Sequence, residues 1–290
     1  MTKENLVEVK DFNTIARPDW CPGCGDFGIQ VAVKQALTNL QIQPHKVAFV
    51  SDIGCSGKIT HWVNTYGLHS LHGRALPVAT GVKFANRDLT VIVDAGDGGG
   101  YGIGMGHLVH TIRRNVDMTY MVHDNMVYGL TKGQMTPTSC KGFKTPSSPF
   151  GAIEEPLNPM ALALSLGATF VARGSAVDAI HLTKILEEAI KHKGFALVDI
   201  FQPCVTFNKI NTYAYFLQNT YNLDKEEGYN RHDWTAAMDK ARQKDKLPVG
   251  ILYQVEQPTY GDEDPGRADV AAVDLPIEDI DIQSLVKRYY

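Results

Sequence analysis

The chain has 290 residues, a formal net charge of −4 and 44% hydrophobic residues, all ordinary values for a globular protein with a sizeable core. The net negative charge gives no sign of a basic surface for nucleic acid or an anionic membrane, and no apolar run approaches the roughly 18 residues of a membrane span. The mixed-charge start, residues 1–10, is unlike a signal peptide, so we expect a cytoplasmic protein. In that compartment the five cysteines are better suited to metal binding or redox work than to disulfides.

Predicted helices and strands alternate along most of the chain. In order they are a helix from Gly28, a strand at 46–51, a helix at 75–84, a strand at 89–94, a helix at 101–114, a strand at 118–124, a helix at 158–166, a strand at 169–173, a helix at 176–192 and a strand at 195–201. This alternation predicts an α/β fold, a doubly wound and mostly parallel sheet with helices on both faces.

The sequence beyond residue 205 is aromatic, polar and irregular, which is typical of an arm or cap. We therefore predict two units. Residues 1–205 form the α/β domain, and its first 25 residues include a tight Cys-x-x-Cys knuckle. Residues 206–290 form an irregular C-terminal arm.

One strand–turn–helix–strand segment, residues 91–133, carries oxygen ligands at the ends of its strands. Asp97 follows the first strand and Asn125 the second, so a right-handed βαβ unit places both at the carboxyl edge of the sheet. Gly96 and the glycines at 98–100 let the backbone approach an anion closely. Asp97, the Asn125 side chain and a carbonyl such as that of Val127 suit a Mg²⁺ ion that also takes phosphate oxygens. A helix-capping Asp and a turn-forming Asn explain the same residues equally well.

Four cysteines lie where they could share one centre. Cys21 and Cys24 are spaced to chelate, and Cys55 and Cys204 each follow the end of a predicted strand. Four thiolates can hold either zinc or an iron–sulfur cluster. Zinc sites usually use two close pairs, so the scattered Cys55 and Cys204 favour a cluster, with zinc as the alternative. The fifth cysteine, Cys140, lies in a polar loop and is given no role.

Several remaining polar residues lie in predicted loops. Lys58 and the run His72-Gly73-Arg74 could hold anionic groups, although each alone is more often a solvated surface residue. Residues 23–28 match the pattern G-x-G-x-x-G, but no strand precedes them, so we interpret the match as chance.

Gly96-Asp97-Gly98 followed by Asn125 resembles the thiamine diphosphate motif. Together with CPGCG, SDIGCSGKI, GLHSLHGRALPVATG, RRNVDMTYMVHDNMVYGLTKGQMTPTS and DIFQPC, it is similar to the β subunit of 2-oxoacid:ferredoxin oxidoreductases, particularly the 2-oxoglutarate-type branch. The likeness covers roughly residues 15–210. It implies the thiamine diphosphate-binding fold, in the form of a diphosphate-type domain.

The resemblance also implies roles for individual residues. Asp97, Asn125 and the Val127 carbonyl would bind Mg²⁺. One 4Fe-4S cluster would be ligated by Cys21, Cys24, Cys55 and Cys204. Lys58 would face the substrate carboxylate, with His72 and Arg74 as further catalytic candidates. Thiamine diphosphate would lie against Ile53, Gly54, Cys55, Ser56, His72, Gly73, Arg74, Gly96, Asp97, Gly98, Gly129 and Leu130.

The implied activity is oxidative decarboxylation of 2-oxoglutarate to succinyl-CoA and CO₂, or the reverse reductive carboxylation. The cofactor acts as the electron sink, coenzyme A takes the acyl group, and electrons leave through the cluster to a ferredoxin. Because Cys55 lies within the segment 53–56, one turn would place the cluster beside the cofactor.

The chain contains one cofactor-type unit, so the glutamate that activates the cofactor is expected from an α subunit. The implied assembly is a dimer of αβ heterodimers. Pyruvate or a broad range of 2-oxoacids is the alternative substrate. A non-redox thiamine diphosphate lyase or synthase is a second alternative, and a zinc-stabilised scaffold subunit without cofactor a third.

Overall fold

The structure is a computed structural model that describes residues 6–266, 270–276 and 282–289. Its centre is an eight-stranded sheet. The strands are β1 (Val47–Ser51), β2 (Tyr66–His69), β3 (Thr90–Gly96), β4 (Met118–Asp124), β5 (Phe170–Ser175), β6 (Phe195–Phe201), β7 (Thr220–Asn222) and β8 (Leu247–Gln254). They lie in the order β2-β1-β3-β4-β6-β5-β8-β7.

Six neighbouring strands run parallel, namely β2, β1, β3, β4, β6 and β5. The inner strands β4 and β6 are buried over their whole length. Near-continuous apolar sequences such as FALVDIF are typical of parallel strands that are covered on both faces. The mostly parallel α/β fold is therefore confirmed.

Helices cover both faces of the sheet. The helices of the described residues are α1 (Asp26–Asn39), α2 (Ala75–Ala85), α3 (Met105–Arg114), α4 (Pro159–Ser165), α5 (Ala179–Lys191), α6 (Tyr213–Asn219), α7 (Trp234–Ala241), α8 (Tyr260–Glu263) and α9 (Gln283–Val286). Helices α1 and α5 pack into one core layer with Phe49 and Ile92, whereas α2, α3, α4 and α7 pack into the layer on the opposite face.

Helix α5 shows how the sequence specifies one of these contacts. Asp178 caps its N-terminus by accepting a hydrogen bond from the backbone N–H of His181. Leu182, Ile185 and Leu186 then recur at helical spacing and are at most 2% exposed. Each such side chain stabilises the fold by about 1.5–3 kcal/mol when it is removed from water.

The helix predicted at 101–114 begins four residues later, at Met105. A π turn at Gly98–Ile103 precedes α3, and the backbone at Gly102 leaves helical geometry (φ −92°, ψ −107°). Glycine tolerates this conformation, and wide turns of this kind occur frequently at functional sites.

The region after residue 205 is more regular than the predicted arm. Strand β8 pairs antiparallel with β5, placing Ile251 opposite Ala172, and β7 pairs parallel with β8. Within the region predicted to be an irregular arm, strands β7 and β8 therefore extend the same sheet. The sequence LPVGILYQ contains a proline and a glycine, both of which weaken a strand signal, and the pairing with β5 stabilises it as a strand.

Strand β2, which was not predicted, forms the opposite edge of the sheet. It pairs with β1, and all four of its residues are exposed. None of the helices in the described part of the chain has the length and apolar character of a membrane span.

Candidate cofactor site

A cleft of about 460 Å³ opens at the carboxyl ends of β1, β3 and β4. It lies at the edge of the sheet where parallel α/β folds bind ligands. Its walls are Ile53, Gly54, Cys55, Ser56, His72, Gly96, Asp97, Gly98, Gly99, Asn125, Val127, Tyr128, Gly129, Leu130, Thr131 and Gln134. The structure thus brings together most of the residues predicted to hold the cofactor and its cation. Gly73 and Arg74 lie outside this lining.

Two glycines of the π turn are required by close packing. A Cβ atom at Gly99 would lie 1.7 Å from Oδ2 of Asp52, and one at Gly98 would lie 2.1 Å from Cε1 of Tyr128. Bare backbone therefore forms this wall of the cleft. Backbone of this kind can approach the phosphate groups of a ligand.

Asp52, which lies behind the cleft wall against Gly99, is a residue that the sequence reasoning missed. It directly follows β1, is fully buried, and accepts a hydrogen bond of 2.6 Å from the backbone N–H of Gly73. Burial raises the pKa of its carboxyl group. The rule that identified Asp97, a polar residue directly after a buried strand, would also have found Asp52.

Three buried polar atoms at or beside the cleft lack a hydrogen-bond partner in the structure. They are Oδ2 of Asp52, Oγ of Ser56 and Nδ1 of His72. Buried polar atoms are nearly always paired, so these atoms fit a wall that meets a polar ligand. Of the three residues, Ser56 and His72 line the cleft, so their side chains could donate hydrogen bonds to such a ligand.

Asp97 belongs to a buried acidic network. The Thr138 hydroxyl lies 2.6 Å from Oδ2 of Asp97 and 2.8 Å from Oδ1 of Asp124, and Asp199 accepts a hydrogen bond of 2.8 Å from Tyr101. Burial raises the pKa of Asp97 to about 6, and the pKa of Asp124 is raised well above its usual range by burial and by its acidic neighbours.

Arg173 lies 3.7 Å from Asp199. It supplies one positive charge against the three buried carboxyl groups, those of Asp97, Asp124 and Asp199. Burying several carboxylates against one cation is costly. A divalent cation at Asp97 would offset the remaining charge, so the network fits Mg²⁺.

Asn125 is held by contacts at both ends of its amide. Its Oδ1 accepts a hydrogen bond of 3.0 Å from the backbone N–H of Val127, and its Nδ2 donates one of 2.7 Å to Oε1 of Gln202. An amide oxygen has two lone pairs, so Oδ1 keeps one for a cation.

The four cysteines predicted to share a centre lie at the same end of the sheet. Cys55 and Cys204 flank Gly129, where a built Cβ atom would be 3.6 Å and 3.7 Å from their sulfurs. In the knuckle, the backbone N–H of Cys24 donates a hydrogen bond of 2.9 Å to the carbonyl of Cys21. Burial, with added effects from nearby acidic and thiol groups that include Cys204 and Cys21, raises the pKa of Cys55 to about 11.

Across the described ranges, no three His, Cys, Asp or Glu side chains converge closely enough to hold one metal ion. A 4Fe-4S cluster makes a different demand, because each cysteine binds a separate iron of a larger body. The sulfurs of Cys55 and Cys204, on either side of Gly129, are compatible with a body of that kind.

Lys58, Arg74 and Cys140 lie apart from the cleft lining. Lys58 forms an ion pair of 3.0 Å with Asp19, and the Arg74 guanidinium donates to the carbonyl of Gly73 at 3.3 Å. The sulfur of Cys140 is 4.0 Å from Oδ1 of Asn211. The predicted roles of Lys58 and Arg74 toward a substrate stay predictions.

A buried charge cluster that the sequence reasoning did not predict lies beneath the knuckle. His123 contacts Asp26 through Nδ1 and Asp94 through Nε2, each at 2.7 Å, and all three side chains are fully buried. Burial alone would lower the pKa of His123, but the charges of Asp94 and Asp26 outweigh it and raise the pKa to about 10. An imidazolium ion therefore connects the start of α1 to the ends of β3 and β4.

Two family models match this chain. Residues 52–200 match the C-terminal thiamine pyrophosphate-binding domain of thiamine pyrophosphate enzymes, and residues 204–268 match the C-terminal region of the pyruvate ferredoxin oxidoreductase β subunit. The first match contains the whole cleft described above.

Relatives match over most of the chain. The β subunit of the 2-oxoacid:ferredoxin oxidoreductase of Saccharolobus solfataricus is 50% identical over 250 residues, which cover 82% of each chain. The 2-oxoglutarate oxidoreductase subunit KorB of Mycobacterium tuberculosis is 38% identical over 283 residues, covering 97% of this chain and 72% of the relative.

A solved structure agrees with these likenesses. The 2-oxoglutarate:ferredoxin oxidoreductase of Magnetococcus marinus, with 2-oxoglutarate, coenzyme A and succinyl-CoA bound, superposes with a TM-score of 0.86 at 42% identity and covers 89% of each chain. With its cleft, its glycine wall and its sequence relatives in agreement, the chain belongs to the β subunits of the 2-oxoacid:ferredoxin oxidoreductases and contains their thiamine diphosphate-binding domain.

Proposed function

We propose that this chain is the cofactor-bearing subunit of a coenzyme A-acylating 2-oxoglutarate:ferredoxin oxidoreductase. The observation that carries the proposal is the position of Cys55. It lines the cleft, and it lies with Cys204 against Gly129. The turn at residues 53–56 would therefore hold the iron–sulfur cluster, as electron acceptor, beside thiamine diphosphate.

The cleft residues divide between two tasks. Asp97, Asn125 and the Val127 carbonyl hold Mg²⁺, and Gly96 and Gly98 give the diphosphate access to the backbone. The segment 53–56, His72, Gly129 and Leu130 position the rest of the cofactor, with Gly73 and Arg74 behind them. Bound thiamine diphosphate supplies an electron sink for loss of CO₂ from a 2-oxoacid. The protein groups orient it and exclude water.

The cysteines Cys21, Cys24, Cys55 and Cys204 ligate one 4Fe-4S cluster. Held at the cleft wall by Cys55, the bound cluster would supply one-electron transfer toward an external ferredoxin. A non-redox thiamine diphosphate lyase or synthase would have no use for this arrangement of thiols.

A partner chain completes the enzyme. The name β subunit, shared by the relatives, implies an α subunit. We assign to that partner the glutamate that activates the cofactor and part of the coenzyme A and 2-oxoacid pocket. The proposed complex is a dimer of αβ heterodimers, and we assign Lys58, which forms an ion pair with Asp19 in this chain, to the substrate carboxylate.

The substrate is 2-oxoglutarate. The Magnetococcus structure contains this compound, and the relative from Mycobacterium tuberculosis is named for it. Pyruvate or a broad range of 2-oxoacids is the second candidate, since the Saccharolobus relative is named only for 2-oxoacids and the C-terminal family model for pyruvate.

The test is anaerobic co-purification of the chain with its α subunit. We expect a brown complex with broad absorption near ~400 nm that reduces ferredoxin or viologen with 2-oxoglutarate and coenzyme A. Pyruvate and 2-oxobutyrate in the same assay decide the substrate range. A colourless, zinc-loaded complex without activity on any 2-oxoacid would refute the proposal.

A further inference from the structure

We propose that Gln202 is a positioning residue that links the cysteine cluster to the magnesium site. Through one side-chain amide it sets both the reduction potential of the cluster and the affinity for Mg²⁺ and thiamine diphosphate. The inference rests on the proposed function, since it assumes that both cofactors bind where the preceding section assigns them.

Gln202 lies at the junction of the two sites. It follows β6, is 1% exposed, and donates its backbone N–H to the carbonyl of Asp124 at 3.0 Å, which ties the end of β6 to the end of β4. On its other side the knuckle packs closely, because a Cβ atom at Gly25 would be 3.1 Å from Cγ of Gln202.

The orientation of the Gln202 amide is fixed by a chain of contacts. The backbone N–H of Val127 can only donate, so the atom of Asn125 that it meets at 3.0 Å must be the amide oxygen. The other end of Asn125 is then its NH₂ group, which donates to Oε1 of Gln202 at 2.7 Å. This leaves the Gln202 NH₂ group to face Cys24.

The contacts of the Gln202 NH₂ group support this orientation. Nε2 of Gln202 donates to the carbonyl of Pro203 at 3.1 Å and to the sulfur of Cys24 at 3.2 Å. A flipped amide would bring Oε1 against the Pro203 carbonyl and Nε2 against the NH₂ group of Asn125. Both contacts would be repulsive, so one orientation is enforced from both ends.

At the cluster, the N–H group of Gln202 stabilises negative charge on the sulfur of Cys24. Reduction adds one electron to the cluster, and a donor hydrogen bond to a ligating sulfur favours the more negative state. Hydrogen bonds to the sulfurs are among the factors that set cluster potentials. Gln202 therefore raises the potential and makes electron transfer from the cofactor more favourable.

At the magnesium site, Oε1 of Gln202 holds the NH₂ group of Asn125 and so keeps its oxygen available to the cation. Partners of this kind, bound to a metal ligand rather than to the metal, typically contribute about 10- to 100-fold to metal affinity.

The experiment compares wild type with Gln202→Met in the anaerobic complex with the α subunit. Methionine keeps the length and volume of the side chain, offers only a weak sulfur acceptor to Asn125 and cannot donate to Cys24. We expect two changes. The cluster potential, followed by EPR during a redox titration, becomes more negative. The affinity for thiamine diphosphate with Mg²⁺, measured by calorimetry on cofactor-free complex, falls about 10-fold or more.

The control is Gln30→Met, which removes another buried glutamine amide, one that donates a hydrogen bond to the carbonyl of Trp62. It should leave both quantities at the wild-type value. If Gln202→Met changes neither quantity, or only one of them, Gln202 does not link the two sites.

If the methionine variant fails to assemble, Gln202→Glu is measured instead. It keeps an oxygen for Asn125, removes the N–H donor to Cys24 and adds negative charge beside that sulfur, so the potential should fall, and a wild-type potential would overturn the inference. A wild-type complex with no 4Fe-4S signal, or one that binds no thiamine diphosphate, would instead refute the proposed function itself.

Discussion

Asp97 shows how a single side chain can be predicted from its place in the chain. It follows a buried strand and precedes a glycine turn, and parallel topology brings it to the same edge as Asn125. The carboxylate is 2% exposed, and burial raises its pKa, so a bound cation would further stabilise the anionic form.

Removal of the Asp97 carboxylate should affect the binding of thiamine diphosphate without affecting the iron–sulfur cluster. Asp97→Ala is expected to abolish Mg²⁺-dependent binding of thiamine diphosphate, measured by calorimetry, while the absorption of the iron–sulfur cluster is retained. The exposed Glu154→Ala is the control and should bind the cofactor normally. Unchanged binding in Asp97→Ala would show that the cation lies elsewhere.

His123 lies outside what sequence could predict, because its importance comes from two partners that are distant along the chain. Nothing in the sequence around it indicates that Asp26 and Asp94 will enclose it. The structure places a cation between two fully buried carboxylates, a contact in which the loss of one member leaves charge uncompensated.

His123→Leu should therefore destabilise the fold. We expect the free energy of unfolding to fall by about 3–5 kcal/mol, because Asp26 and Asp94 lose their common counter-ion. Denaturant unfolding followed by circular dichroism measures this loss. The exposed His45→Leu provides the matched comparison, and an equal effect in the two variants would argue against the charge cluster.

Among the elements, the knuckle at residues 21–25 depends on packing against the segment that follows β6. The backbone N–H of Gly25 donates to the carbonyl of Pro203 at 3.1 Å. A Cβ atom at Gly25 would lie 2.8 Å from Cδ of Pro203 and 3.0 Å from its nitrogen. The glycine is required so that Cys21 and Cys24 can approach Cys204.

Gly25→Ala is expected to displace the knuckle and reduce the iron content of the anaerobically purified complex. Gly106→Ala, in α3 where a built Cβ atom has no neighbour within 4 Å, is the control. It should keep the cluster and raise the stability of the helix by up to about 1 kcal/mol. Full iron content in Gly25→Ala would mean that the knuckle tolerates the shift.

The elements themselves were predictable to the extent that they carry periodic apolar residues. Helix α5 and strands β4 and β6 lie where the sequence predicts them, because their patterns are long and are bounded by turn residues. Strands β2 and β8 were missed. The residues of β2 are exposed, and β8 contains proline and glycine, so pairing with a neighbour stabilises them rather than any local pattern.

For the whole molecule, the important property is that the cleft is open and one-sided. It is a surface feature of a single α/β unit, and its unpartnered polar atoms belong to Asp52, Ser56 and His72. The resemblance of the motifs implied a partner that completes the site, and that dependence can be tested directly.

The purified chain alone is expected to show no turnover of 2-oxoglutarate with thiamine diphosphate, Mg²⁺ and coenzyme A. Addition of the α subunit should restore activity in proportion to complex formed, measured by viologen reduction against gel filtration. Complexes that contain Asp97→Ala should form but remain inactive. Turnover by the chain alone would refute the need for a partner.

The exposed edge strand β2 is expected to affect the solubility of the isolated chain. One side of this strand has no strand partner in the described residues, and it exposes Tyr66 and Leu68, which are 61% and 42% accessible. Such an edge is a template for strand addition by another copy, so light scattering should show association as the isolated chain is concentrated. A charge on the strand, Leu68→Lys, should suppress it, whereas Val31→Lys on α1 should not. Soluble yield would then depend on removing one exposed leucine from a free edge rather than on the stability of the core.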